Sequence, residues 1–80
     1  MTSPDFVIDQ LERAGFRVAR RTGALTFLVH PAYPGLQLRV GTVYVVAERD
    51  EGEIARQRLD TLDVEALLAV IERAQARIQP

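Results

Sequence analysis

Arginine is the residue type that gives this chain most of its potential chemistry. All ten basic residues are arginine, and the chain contains no lysine. A guanidinium group is planar, pairs with carboxylate or phosphate through two parallel hydrogen bonds, and stacks on aromatic rings. The composition therefore indicates either a genome whose codon usage favours arginine or selection for a surface that binds anions.

Several arginines are predicted to share one face of a sheet, because every second side chain of a strand points to the same side. In chain order this face contains Arg17, Arg21, Thr26, His30, Gln37 and Arg39, and also Arg56 and Arg58 if residues 53–59 form a strand. Such a face could bind phosphate or an acidic protein surface. The alternative is a solvated face with no partner, which an antiparallel sheet commonly has.

His30 and Tyr33 complete the candidate binding residues. His30 is the only histidine, and the sequence offers no cysteine or close carboxylate cluster beside it. We therefore predict neither a metal site nor a catalytic base, and His30 is either a binding residue or a polar residue at a strand end. Tyr33 lies in a predicted turn, where it could anchor an interface beside arginine or rest on the chain's own surface.

The acidic residues are concentrated in the second half of the chain. Residues 1–47 contain five arginines and three carboxylates, a balance of +2, whereas residues 48–80 contain five arginines and eight carboxylates, a balance of −3. Glu48, Asp50, Glu51 and Glu53 surround one predicted turn, but not with the spacing of a calcium-binding loop. We interpret them as a solvated hairpin tip that could also dock on a basic partner. The net charge of −1 is not typical of a nucleic-acid-binding protein.

Length and composition predict one small globular domain over residues 1–80. The absence of cysteine excludes a disulfide framework and thiol chemistry. We find no signal-peptide pattern, no apolar run long enough to span a membrane, no phosphate-binding glycine loop and no hydrolase serine motif. The sequence therefore predicts a cytoplasmic protein without catalysis, cofactor, metal or membrane contact.

The helices have clear start signals. Ser3 can cap a helix over residues 4–14, Pro4 suits its first position, and Gly15 suits its end. Asp63 can cap a final helix, on which Val64, Leu67, Leu68 and Ile71 recur at helical spacing.

Strands occupy the middle of the chain. Residues 16–21 and 24–30 are predicted strands joined by a tight turn, and a third strand begins at Leu36. Gly41 makes either a bulge in one long strand to Ala47 or a turn between two short strands, and we favour the bulge. Residues 53–59 form a strand or a short helix, and we favour the strand. The predicted fold is α+β: a helix, an antiparallel three- to four-stranded sheet and a helix, with both helices on one face.

Residues 11–31 resemble the first half of the HicA-type toxins, RNA-cleaving proteins of bacterial toxin–antitoxin pairs. The matching residues are Gly15-Phe16, Arg20, Arg21, Gly23 and His30-Pro31. The resemblance implies a fold like that of double-stranded-RNA-binding domains, with the order α-β-β-β-α. It also implies that catalysis is lost, since Leu25 stands where the family has its catalytic histidine. The segment of residues 42–59 is longer than the order α-β-β-β-α requires, and we interpret it as an extra hairpin.

The function predicted from these features is binding. We expect a small regulatory protein of bacterial, plasmid or phage origin that acts through contact with a protein partner, either as a monomer or as a homodimer. Two other functions also remain open. One is a nucleic-acid-binding module that uses the arginine face, and the other is a divergent HicA-like ribonuclease toxin.

Overall fold

The computed structural model describes residues 3–49 and 52–78 of the chain. Its elements in chain order are α1 (Pro4–Arg13), β1 (Arg17–Thr22), β2 (Leu25–Val29), β3 (Gln37–Val40), β4 (Tyr44–Arg49), β5 (Gly52–Arg58), a 3-10 turn (Leu59–Thr61) and α2 (Val64–Ile78). The strands form one antiparallel sheet in the order β1-β2-β3-β4-β5. The predicted α+β arrangement of helix, antiparallel sheet and helix is confirmed, with five strands where three to four were expected.

Both helices begin at the predicted caps. The Ser3 hydroxyl accepts a hydrogen bond from the backbone N–H of Phe6 at 3.2 Å, and the Asp63 carboxylate accepts one from Ala66 at 3.1 Å. Each bond satisfies an N–H that the first turn of a helix leaves without a partner. The buried residues of α1 are Val7, Ile8 and Leu11, and those of α2 include Leu67 and Ile71.

A turn at Gly41 accounts for one of the additional strands. The N–H of Gly41 donates to the carbonyl oxygen of Tyr44 at 3.0 Å, which closes a tight connection between β3 and β4. The favoured bulge was therefore wrong, and the alternative of a turn is correct. The turn lets Val40 pair with Val45, and both side chains are buried. Val43, which a bulge would have turned inward, is 46% exposed at the turn.

The last strand, β5, confirms the favoured interpretation of residues 53–59. It pairs with β4, so that Tyr44 lies opposite Arg58 at one end and Arg49 lies opposite Gly52 at the other. The two strands form the extra hairpin that was expected in this region. Asp50 and Glu51, which belong to its predicted acidic tip, lie outside the described residues.

The two faces of the sheet have different surroundings. The inner face consists of Leu28, Leu38, Val40, Val45 and Ala47, which form one core cluster with the buried residues of both helices. This confirms that the two helices pack on the same face. By register, the outer face carries Arg17, Arg20, Thr22, Leu25, Phe27, Val29, Gln37, Arg39, Tyr44, Val46, Glu48, Glu53, Arg56 and Arg58. None of these outer-face residues belongs to the core cluster of the described chain.

The face assignment of β2 differs from the sequence prediction. Thr26 was expected on the polar face, but it pairs with Val40 and is only 7% exposed on the inner side. Large apolar residues lie on both faces of β2, so periodicity alone could not show which face is buried. The pairing of Leu28 with Leu38 settles this question, because it places two fully buried side chains against the helices.

A bulge in β1 also changes the prediction for Arg21. The register between β1 and β2 shifts between Val18 and Arg20. As a result Arg20 lies opposite Phe27 on the outer face, while Arg21 lies opposite Thr26. The expectation that Arg21 belongs to the outer face was therefore wrong, because one extra residue reverses the alternation of all that follow it.

Candidate functional site: the outer sheet face

A single row of five side chains crosses the centre of the outer face. Cross-strand pairing aligns, from β1 to β5, Arg20, Phe27, Arg39, Val46 and Arg56. The two apolar members are 8% and 3% exposed, although neither helix packs against this face. The neighbouring arginines provide cover, because an arginine can lay its aliphatic stem along apolar surface and keep its charged end in water.

Arg20 is the clearest example of this cover. Its guanidinium carbon, Cζ, lies 4.4 Å from the centre of the Phe27 ring, which is the geometry of a cation–π contact. Neither residue was predicted as part of the site. No periodic signal could have identified Arg20, because it reaches this face only through the bulge in β1.

Tyr44 forms a second aromatic position beside the central row. The guanidinium carbons of Arg56 and Arg58 lie 4.9 and 6.0 Å from the centre of its ring. Tyr44 is 38% exposed, so it is available for further contact. Tyr44 was also not a predicted site residue; the signal that could have indicated it is its position two residues from Val46 on the same strand face.

An open depression of about 240 Å³ lies between these side chains. Its walls include Leu25, Arg39, Val43, Tyr44, Val46 and Arg56. The depression is therefore lined by both apolar residues and two arginines. Such a combination suits a ligand in which an apolar group lies beside a negatively charged group.

Two of the outer-face arginines are paired with carboxylates of their own chain. Arg56 Nη2 lies 2.7 Å from Glu53 Oε1, and Arg58 Nε lies 3.2 Å from Asp60 Oδ1. Hydrogen bonds from Arg56 lower the pKa of the Glu53 carboxyl, and the positive charges of Arg56 and Arg39 add to this effect. Hydrogen bonds from Arg58 likewise lower the pKa of Asp60. Exposed pairs of this kind contribute little to stability.

The other outer-face arginines differ from these two. Within residues 3–49 and 52–78, no salt bridge involves Arg17, Arg20 or Arg39. Positive charge is thus concentrated on β1 to β3, whereas Glu48 and Glu53 lie on β4 and β5. The face is dipolar, in agreement with the charge difference between the two halves of the sequence.

His30 has a structural role away from this face. Its Nε2 donates to the carbonyl oxygen of Ala14 at 3.2 Å, and its Nδ1 accepts the N–H of Ala32 at 3.0 Å. The ring also packs against the rings of Phe16 and Tyr33, with centroid distances of 4.9 and 4.8 Å. Both ring nitrogens are therefore occupied by backbone groups of the same chain.

Gly15 is required for this packing of His30. Its φ of +103° disfavours any residue with a side chain, and a Cβ at this position would lie 2.5 Å from His30 Nε2. The short motifs Gly15-Phe16 and His30-Pro31, which are far apart in sequence, thus meet in one contact. This contact joins the end of α1 to the end of β2.

Tyr33 is also engaged elsewhere. Its hydroxyl donates to Glu72 Oε1 of α2 at 3.0 Å. Burial raises the pKa of Tyr33, and the neighbouring Glu72 carboxylate raises it further. Of the predicted binding residues, the structure brings Arg17, Arg39, Arg56 and Arg58 onto the outer face, and it places Arg21, His30 and Tyr33 elsewhere.

Other kinds of site have little support from the described residues. Within residues 3–49 and 52–78, no group of three or more histidine or carboxylate side chains is arranged to hold a metal ion. The helices of that part are too short or too polar to cross a membrane. No family model, curated protein or solved structure matches this chain. The case for a function therefore depends on the geometry of the outer face.

Proposed function

We propose that this chain is a non-catalytic, cytoplasmic binding protein that recognises a protein partner through the outer face of its sheet. One observation carries this proposal: the row of arginine and apolar side chains that both helices leave uncovered. Val29, Val43 and Tyr44 add exposed apolar surface to the same side, at 39%, 46% and 38% exposure. Aromatic residues and arginine are enriched at the centres of protein interfaces, where they contribute most of the binding energy.

The charge distribution favours a protein over a nucleic acid as the partner. The chain has a net charge of −1, and two outer-face arginines are already paired with carboxylates. A nucleic acid would bring a row of phosphates up to Glu48 and Glu53 on the same face, whereas a protein partner can place a single carboxylate at the arginines. The electrostatic contribution that dominates binding to nucleic acids is therefore weakened here.

A nucleic acid remains the second candidate because of the arginine–aromatic pairs. Arg20 over Phe27 and Arg56 over Tyr44 resemble the combination of positive charge and ring faces on which proteins stack unpaired bases. The dependence of the binding affinity on salt concentration distinguishes the two candidates. A complex with 6–10 phosphate contacts loses roughly a thousandfold or more in affinity between 50 and 200 mM salt, and a protein interface with an apolar centre loses much less.

The test is capture of partners from the native host, followed by measurement with the purified partner. We expect Arg39→Glu and Tyr44→Ala each to weaken binding by about tenfold or more, as changes at an interface centre do. Arg73→Glu is the matched control, because it makes the same charge change on the exposed side of α2. Equal binding by all variants, or binding of oligonucleotides alone with steep salt dependence, would contradict the proposal.

The proposal also includes the absence of nuclease activity. Leu25, which stands at the position of the catalytic histidine in the resembled family, lines the depression and cannot transfer protons. We therefore expect expression in bacteria to cause neither growth arrest nor cleavage of messenger RNA. Growth arrest accompanied by cleaved transcripts would instead favour the ribonuclease alternative.

A further inference from the structure

The ion pair of Glu53 and Arg56 indicates how the outer face can hold a carboxylate. Arg56 uses two nitrogens, with Nη2 at 2.7 Å from Oε1 and Nε at 3.2 Å from Oε2 of Glu53. The two side chains keep 47% and 42% of their surface exposed, so a partner can reach both. Arg39 lies in the same central row and also acts on Glu53 through its charge.

Building on the proposed function, we infer that Arg39 and Arg56 form a binding site for a carboxylate of the protein partner, and that Glu53 holds the Arg56 half of this site in the free protein. When the complex forms, the partner's acidic residue replaces Glu53 on Arg56 and also pairs with Arg39. An apolar side chain next to that acidic residue then enters the depression lined by Leu25, Tyr44 and Val46.

Charge balance favours this exchange. Covering the outer face with a partner would remove Arg39 and Arg56 from water, and a charge that loses water without gaining a partner is strongly destabilising. Arg56 already has Glu53, but Arg39 has no salt bridge within the described residues, so a carboxylate from the partner supplies a charge that Glu53 alone does not. Glu53 is then released to the rim, at the start of β5, where it remains solvated. Because exposed ion pairs are weak, displacing Glu53 lowers the affinity by only about two- to fivefold.

A second copy of this chain fits the face less well. Arg39 belongs to the central strand of the five and to the central row. In a symmetric dimer each surface patch packs on its own equivalent, so face-to-face packing about this centre would oppose the two copies of Arg39. Like charges at an interface are repulsive. An acidic segment of a different protein has the complementary charge.

The experiment uses a synthetic peptide as the probe and full-length protein variants. The peptide alternates glutamate with leucine and tyrosine, and fluorescence polarisation measures its affinity. Glu53→Gln frees Arg56, whereas Glu48→Gln removes an equal charge from the same face without freeing an arginine, since Glu48 accepts a hydrogen bond from Gln37 at 3.1 Å. We expect Glu53→Gln to tighten binding about two- to fivefold and Glu48→Gln to have a clearly smaller effect.

Two further measurements test the mechanism. The gain from Glu53→Gln should disappear when Arg56→Gln is also present, because the gain depends on the freed guanidinium. In an NMR titration of the unmodified protein, saturation with the peptide should raise the pKa of Glu53 toward its ordinary value, because Arg56 then bonds the peptide. A Glu53 pKa that stays unchanged in the complex would overturn the exchange.

The outcomes distinguish this inference from the function on which it is built. Equal tightening by Glu53→Gln and Glu48→Gln means that only net charge acts, and it overturns the carboxylate site while the protein-binding function stands. The same conclusion follows if the peptide does not bind but a captured partner still depends on Arg39 and Tyr44. Binding of oligothymidylate in place of the peptide overturns both. A dimer in size-exclusion chromatography that Tyr44→Ala disrupts would assign the face to a second copy.

Discussion

The inner and outer faces of one sheet bury apolar side chains in two different ways. On the inner face Leu28, Leu38 and Val45 are fully buried beneath two helices. On the outer face Phe27 and Val46 are nearly as buried, at 8% and 3% exposure, but their cross-strand neighbours on that face are arginines. A helix is a fixed cover, whereas the end of an arginine side chain changes rotamer readily.

This difference separates the part of the molecule that stabilises the fold from the part that can bind. The inner face excludes water through close packing, so its contribution to stability is large and sensitive to volume. The outer face protects its apolar groups with charged side chains that can move aside for a partner. Protection of this kind also limits the exposed apolar patch, which would otherwise favour aggregation. Mutations on the two faces should therefore differ in how much they change the free energy of unfolding.

The largest expected effect is on the inner side, at Leu67 of α2. Its side chain is fully buried, so Leu67→Ala should lower the free energy of unfolding by about 2–5 kcal/mol. This is a large share of the roughly 5–15 kcal/mol that stabilises a typical domain. Urea unfolding measures the loss. Glu65→Gln, at an exposed position of the same helix, should change stability by less than about 0.5 kcal/mol.

Leu68 refines this first prediction, because it is only half-buried beside the core. Leu68→Ala should therefore cost less than Leu67→Ala. An unchanged unfolding midpoint for Leu67→Ala, or a larger loss for Leu68→Ala, would show that α2 packs with a different face against the sheet.

An intermediate effect is expected where α1 joins the sheet. Gly15→Ala forces a side chain into a positive-φ position and toward His30 Nε2, and should cost about 2–3 kcal/mol. Gly35→Ala is the matched control. Gly35 also has a positive φ, of +81°, but a Cβ added there would meet no atom within 4 Å, so it should lose only about 1 kcal/mol from backbone strain.

The difference between these two glycine variants measures the contact with His30. Adding His30→Ala to Gly15→Ala should recover part of the loss, because residues in contact do not behave additively. Equal effects of Gly15→Ala and Gly35→Ala in thermal unfolding would mean that the close approach to His30 is not maintained in solution.

The smallest expected effect is on the outer face, at Arg20. Arg20→Gln removes the guanidinium from the Phe27 ring and should cost about 0.5–1 kcal/mol, the usual size of an exposed cation–π contact. Arg21→Gln makes the same change at the next residue, which the bulge places opposite Thr26, and should have less effect. Urea unfolding and the proton shifts of the Phe27 ring provide the measurements. A greater loss for Arg21→Gln would contradict the position of the bulge.

Much of the helical structure could be predicted because its signals are local. The caps at Ser3 and Asp63 act on N–H groups three residues away, so a short stretch of sequence contains all the information. The α+β arrangement followed from the order of the elements and their apolar residues. The turn at Gly41 was less certain, because glycine suits both a bulge and a turn, and only the pairing of β3 with β4 distinguishes them.

The candidate site was predicted only in part for a related reason. Arg39 was assigned to the outer face because its strand alternates clearly between apolar and polar residues, and Arg56 and Arg58 were assigned there on the condition that residues 53–59 form a strand. Arg20 was missed because its position depends on one extra residue in β1. Phe27 was missed because only the pairing of β2 with β3 decides which face of β2 is buried. Whether this face binds a partner is a prediction that the proposed experiments test.

The sequence by itself determined both helices and the first two strands of this protein, because capping, turn formation and apolar periodicity act over a few neighbouring residues. Only the tertiary structure decided which side chains meet across the sheet and between distant segments. Leu28 faces inward because Leu38 lies beside it on the next strand, and Gly15 is needed because His30 packs against it. Such contacts join residues far apart in the chain, and their geometry exists only once the strands have paired.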